Sequence, residues 1–171
     1  VLTDRYIQLL VQSAPLHDIG KVGIPDHILL KPGKLTADEW EVMKTHTRLG
    51  SDAIGLAERD AREPVAFLQL AKEIARSHHE RWDGQGYPDG MAGEAIPVSA
   101  RIMALADVFD ALISVRVYKA AMNYEKARGI ILDGRGTHFD SRVVDAFDAE
   151  FATFCEIADR YRDEVPATAT A

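Results

Sequence analysis

The chain has 171 residues, 47 % of them hydrophobic, enough to bury one globular core. Its formal net charge of −7 argues against a non-specific nucleic-acid binder, whose surface carries basic patches, while a local cluster of cations still suffices for a small phosphate ligand. The single Cys155 excludes an internal disulfide framework and a multi-thiolate zinc site, and a reducing cytoplasm is the simplest home. No apolar run approaches the roughly 20 residues of a membrane span. The first residue is Val1 rather than Met, so further chain is expected ahead of it.

The pattern reads as almost wholly helical. Residues 4–21 form a first segment carrying Tyr6, Leu9, Leu10 and Ser13, bent at Pro15 and ending on the doublet His17-Asp18. Residues 22–34, with Pro25, Pro32 and two glycines, read as an extended loop. Thr36 and Glu39 make a capping box that opens a helix to about residue 57. Trp40, Met43, Leu49 and Ile54 form its apolar face, with His46 among them. Pro64 suits a first helical position, and Phe67, Leu70, Ala71, Ile74 and His78 follow at steps of three and four, which turns His78 inward. Residues 83–97 are a long glycine-rich loop of the kind that usually carries function. A strong helix follows with Ile102, Leu105, Ala106, Phe109 and Leu112 on one face, then two scaffold helices near 124–132 and 141–162.

Two doublets stand out, His17-Asp18 and His78-His79. Adjacent histidines are costly to bury without partners, and a divalent metal cluster satisfies both. The candidate ligands are His17, Asp18, His46, His78, His79 and Asp107. Intervals of 28, 32 and 28 positions run from Asp18 to His46, His46 to His78, and His79 to Asp107. Each is about one helix plus one connection, so antiparallel helices can bring the set together inside a bundle. Six nitrogen and oxygen donors without sulfur suit a pair of divalent ions such as iron or manganese, with Asp18 as the bridging carboxylate. Such a pair acidifies a water and stabilises the attacking and leaving oxygens of a phosphodiester.

Taken singly, each residue has a plainer explanation. His46 on an apolar face is ordinarily a hydrogen-bonded core histidine, Asp107 near Arg101 half of an ion pair, and His78-His79 one packed and one solvated ring. All of them falling on element ends or inward faces favours the joint reading. Lys21 is placed to hold a phosphate or to protonate a leaving oxygen. Arg116 and Lys119 either meet phosphates or complement a helix C-terminus. Asp110 is either an orienting group or a surface acid. His27 and His138 read as surface residues. Gly86-Tyr87-Pro88 reads as consecutive turns anchored by Tyr87, or as a rigid lid beside the cluster.

The sequence resembles the HD-GYP family, a branch of the HD phosphohydrolases. The matching stretches are HDIGKVGIP (17–25), LLKPGKLT (29–36), His46, HHERWDGQGYPDG (78–90), IP (96–97), RIMALADVFDALIS (101–114), RVYK (116–119) and FD (139–140). They cover nearly all of residues 1–171, which the resemblance makes one domain, all-α, with a metal centre in the bundle core. The resemblance implies a centre of two or three ions, usually iron or manganese, and hydrolysis of cyclic di-GMP to pGpG or onward to GMP. By matching motif, His17, Asp18, His46, His78, His79 and Asp107 are the metal ligands, while Lys21, Arg116 and Lys119 meet the phosphates. The Gly86-Tyr87-Pro88 loop corresponds to the signature loop, linked to substrate specificity and to docking of GGDEF-type cyclase domains. No histidine or glutamate precedes His17, so either a helix ahead of Val1 completes a third metal site or the centre holds two. An upstream receiver or sensory domain fits such a start. Two other readings remain at this point: a regulatory module that binds the dinucleotide or docks a cyclase without turnover, and a hydrolase for a related cyclic dinucleotide.

Overall fold

The computed structural model describes residues 2–61, 65–114 and 122–161, and among them the regular structure is helical. Helix α1 (Asp4–Ser13) begins at Thr3, whose hydroxyl accepts from the Tyr6 amide. It ends at Ser13 instead of running on to residue 21. Pro15 cannot continue the hydrogen-bond ladder, and the chain tightens into two short 3-10 turns, Ala14–Leu16 and Ile19–Gly23. His17-Asp18 sits between these turns. The buried Ser13 hydroxyl lies 2.7 Å from the Leu9 carbonyl and 2.8 Å from that of Phe67, which ties α1 to the helix carrying Phe67.

A one-turn helix α2 (Asp26–Leu29) interrupts the stretch expected to be a loop, and Ile28 on it is buried. The capping box is present at the start of α3 (Ala37–Lys44): Thr36 Oγ1 accepts from the Glu39 amide, and the Glu39 carboxylate accepts from the Thr36 amide. The expected single helix divides at Thr45, whose amide turns back to the Val42 carbonyl at 3.0 Å, before α4 (His46–Asp60). This break shifts the phase of the apolar stripe. Trp40 and Leu49 are 46 % and 41 % exposed, while His46 and Ile54 are buried.

Helix α5 (Ala66–Ser77) buries Leu70, Ala71 and Ile74 as its spacing predicts, with Ala75 buried besides, and His78 caps it. Pro64 lies outside the described residues. Then come α6 (Val98–Ile113), α7 (Tyr124–Asp133), α8 (Ser141–Ala149) and α9 (Phe151–Arg160), the last two separated at Glu150 where one helix was expected.

Two apolar clusters hold these elements. A small one joins Ile54, Ala71 and Ala75 with Leu16 and Leu68, and short side chains let α4 and α5 approach closely. A larger one joins Leu105, Phe109, Ala127, Ile131, Phe139, Val144 and Phe147, with edge-to-face rings such as Phe147 on Phe154 at 4.9 Å. Helix α5 packs on α6 between them. Asp140 caps α8 and pairs with Arg101 of α6 at 2.8 Å. Among the described residues no helix is long and apolar enough to cross a membrane.

Candidate metal centre

Three separate segments bring imidazoles onto one carboxylate. His17 and Asp18 come from the turn after α1, His46 opens α4, and His78-His79 end α5. The turn sits directly on α4 because Gly20 has no side chain: a Cβ there would collide with the His46 carbonyl and the Gly50 amide. From Asp18 Oδ1, His46 Nε2 lies 3.4 Å away and His78 Nε2 lies 3.7 Å away. His17 Nε2 is 3.3 Å from Asp18 Oδ2 and 3.9 Å from Asp107 Oδ1. One donor atom each from Asp18, His46, His78 and His79 falls within 4.8 Å of all the others.

The remaining ring nitrogens settle the tautomers. Nδ1–H of His17 donates to the Ala14 carbonyl at 2.8 Å, that of His46 to Met43 at 2.7 Å, and that of His78 to Ile74 at 2.9 Å. In the neutral ring each Nε2 therefore turns a lone pair toward Asp18. Asp18 Oδ1, His46 Nε2 and His78 Nε2 are buried and have no hydrogen-bond partner among the described residues. Three acceptors facing one another without a donor are unfavourable, and a cation between them removes the conflict. Backbone carbonyls on the far ring nitrogens are the usual outer support of metal-binding imidazoles. The residues present thus fit a divalent ion.

The electrostatics agree. Burial, with His78 and His46 beside it, pushes the His79 imidazole down to about 2, and burial lowers His46 as well, so both stay neutral and able to ligate. Burial alone would raise the Asp18 carboxyl, but the His17 and His78 imidazoles and the Lys21 ammonium reverse this and hold it well below the usual carboxylate range. Lys21 Nζ stands 2.5 Å from Asp18 Oδ2 and keeps part of its side chain in solvent. Although burial opposes it, Asp18 raises the His17 imidazole.

The glycine-rich loop is folded back on the centre. Tyr87 stacks on His79 with ring centroids 4.8 Å apart, and meets Trp40 edge-on at 6.1 Å. Burial, then the carboxylates of Asp18 and Asp107, push its phenol above the usual range, so it stays protonated. Gly86 permits the turn, since a Cβ would strike the backbone of Glu80 and Arg81. The Tyr87-Pro88 bond is cis. Glu80, 2 % exposed, accepts from the amides of Asp89 at 2.8 Å and Met91 at 3.0 Å. Sequence reasoning passed over Glu80, and the one signal was an acid directly following His78-His79.

The other candidates fall out as follows. Asp107 is in the centre, beside His17, whereas the four-atom group is made by Asp18, His46, His78 and His79. Arg101 pairs with Asp140 rather than Asp107. Asp110 is exposed and accepts from Ser114, which makes it a surface acid. His27 is exposed as expected, but His138 is half-buried and stacks on Phe139 at 4.1 Å. Arg116 and Lys119 lie outside the described residues.

The HD domain family matches residues 4–143. A "Cyclic di-GMP phosphodiesterase" of Vibrio cholerae is 58 % identical over 163 residues, 95 % of this chain and 33 % of that protein. The "Cyclic di-GMP phosphodiesterase response regulator RpfG" of Xanthomonas campestris pv. campestris is 50 % identical over 85 % of this chain and 37 % of its own length. A "3'3'-cGAMP-specific phosphodiesterase 2" of Vibrio cholerae is 44 % identical over 84 % of this chain and 26 % of its own. The chain thus spans about a third of the length of these relatives or less. Family match, relatives and the His-Asp centre agree: the chain belongs to the HD domain family, in its HD-GYP branch.

Proposed function

We propose that this chain is a metal-dependent phosphodiesterase domain that hydrolyses cyclic di-GMP, to pGpG or onward to GMP. The observation that carries the reading is the buried set of partnerless acceptors, Asp18 Oδ1, His46 Nε2 and His78 Nε2. The names of the relatives support the substrate. Two ions, iron or manganese, would be held by His17, Asp18, His46, His78, His79 and Asp107. When bound, the ions supply Lewis-acid stabilisation of the phosphodiester oxygens and an acidified water.

The side chains have separate tasks. The carbonyls behind His17, His46 and His78 hold each ring at Nδ1, so that each Nε2 faces inward. Asp18 stays ionised throughout the neutral range. Lys21, paired with Asp18 Oδ2 and partly open to solvent, is the group assigned to neutralise a phosphate oxygen and to protonate the leaving one. Arg116 and Lys119 are assigned to the phosphates on their motif. Tyr87 shields His79 from water on the substrate side.

We place the domain in the cytoplasm, behind a receiver or other input domain, with the Gly86-Tyr87-Pro88 loop as a docking face for GGDEF partners. The test is anaerobic reconstitution with iron or manganese, incubation with cyclic di-GMP, and chromatography of the products. Product formed by the wild type and absent with Asp18→Ala is expected. An active, metal-replete Asp18→Ala variant would overturn the assignment.

A further inference from the structure

A feature beside Tyr87 takes no part in the metal centre. A cavity of about 170 Å³ lies there, lined by Glu41, Lys44, Thr45, Arg48, Tyr87 and Pro88. Pockets for whole drug-sized ligands are roughly 300–1,000 Å³, so this one takes a fragment of a dinucleotide. Its aromatic wall is held on both sides: Tyr87 rests on His79, and Trp40 meets it edge-on while remaining 46 % exposed. Nucleobases stack on such rings with little regard to their identity. Arg48 donates to the Pro88 carbonyl at 3.1 Å and fixes the other wall.

Identity has to be read by a polar group, and the cavity offers one acceptor-only group, the Glu41 carboxylate. Lys44, one helical turn on, pins it at 2.8 Å and stands 5.8 Å over the Tyr87 ring. Guanine presents adjacent N1–H and N2–H₂ donors, both of which a carboxylate accepts. Adenine presents a ring-nitrogen lone pair beside one amino group, and that lone pair repels a carboxylate. An exposed pair three residues apart on a helix contributes little to folding, so stability gives Glu41 no strong reason to be there.

We propose that this cavity is a guanine subsite, with the base against Tyr87 and its N1–H and N2–H₂ edge on Glu41. The proposal rests on the cyclic dinucleotide reading above and adds the group that selects guanine over adenine. It is tested by calorimetric titration of GMP and of AMP into the full chain, wild type and Glu41→Gln, with thermal midpoints measured alongside. Turnover of cyclic di-GMP, 3′3′-cGAMP and cyclic di-AMP is compared in parallel. The wild type binds GMP about tenfold or more tightly than AMP, the size of a charge-assisted hydrogen bond. In Glu41→Gln the preference collapses or inverts, because an amide can donate to adenine, while the thermal midpoint stays put. Equal affinities in the wild type, or an unchanged preference in Glu41→Gln, overturn the subsite. Absent hydrolysis with a Glu41-dependent GMP preference removes the phosphodiesterase reading and leaves the subsite standing. Hydrolysis with no Glu41 effect does the reverse.

Discussion

Replacing Glu80 by Gln isolates what holds the loop over the centre. The carboxylate is buried and takes two backbone amides, from Asp89 and Met91, on its two oxygens. Gln keeps the shape and one acceptor, but turns an NH₂ toward one of those amides. Losing a hydrogen bond to a charged acceptor costs about 1.5–3 kcal/mol. Burial already pushes the Glu80 carboxyl up, and the amides only partly offset that; relief of the buried charge therefore favours the lower end. At RT of about 0.6 kcal/mol this is a tenfold to hundredfold rise in the open fraction of the loop. Amide hydrogen exchange reads it directly: the Asp89 and Met91 amides speed up by that factor, while amides of α5 and α6 keep their protection. Unchanged exchange at Asp89 and Met91 in a folded Glu80→Gln protein would refute the reasoning, and uniform acceleration everywhere would show a global effect instead.

Further expectations follow from other residues. Manganese or ferrous iron, added anaerobically at about a hundred times its Kd, stabilises the wild type by about 2.7 kcal/mol, read as a rise in thermal midpoint. Asp18→Ala abolishes that rise and the bound metal measured by elemental analysis. Gly20→Ala lowers stability by about 3 kcal/mol in urea unfolding, since the added methyl meets backbone that cannot swing aside. Asp140 supplies a pH test. Burial would raise its carboxyl, but Arg142 and Arg101 hold it below the ordinary value. Its stabilisation is therefore complete above the unfolded pKa of about 3.9 and drains away as pH falls through the lower folded value. Urea midpoints from pH 6 to 3 fall more steeply for the wild type than for Asp140→Asn, and parallel curves would contradict this.

Much of the molecule is legible in its sequence wherever one element decides its own environment. The α5 stripe from Leu70 to His78 buries as its spacing requires, and Thr36 and Glu39 cap α3 through bonds made within four residues. Reading failed where distant parts meet or a break resets the phase. Trp40 and Leu49 share a helical spacing with His46, yet the tightened turn at Thr45 separates them, and Trp40 finds its partner in Tyr87, 47 positions away. The break at Glu150 has the same character. Glu80 looks like a loop acid until the loop folds over it, since burial of a carboxylate between backbone amides leaves no periodic trace. The gathering of His46, His78, His79 and Asp18 was inferable from interval lengths, but the partnerless buried acceptors that make it a candidate cation site exist only in three dimensions.

The carbonyls that receive the imidazole Nδ1–H groups lie three residues back from His17, three back from His46 and four back from His78. Each ring is thus leashed to its own turn and takes its bearing before its neighbours arrive. Bringing the rings together is the work of the bundle, while pointing them is local. A sequence change that repacks the helices can therefore widen or narrow the centre without misaiming any single ring, whereas reshaping the turn behind one histidine swings that ring alone. Robustness to drift in the core and sensitivity at three short turns are two sides of that one wiring.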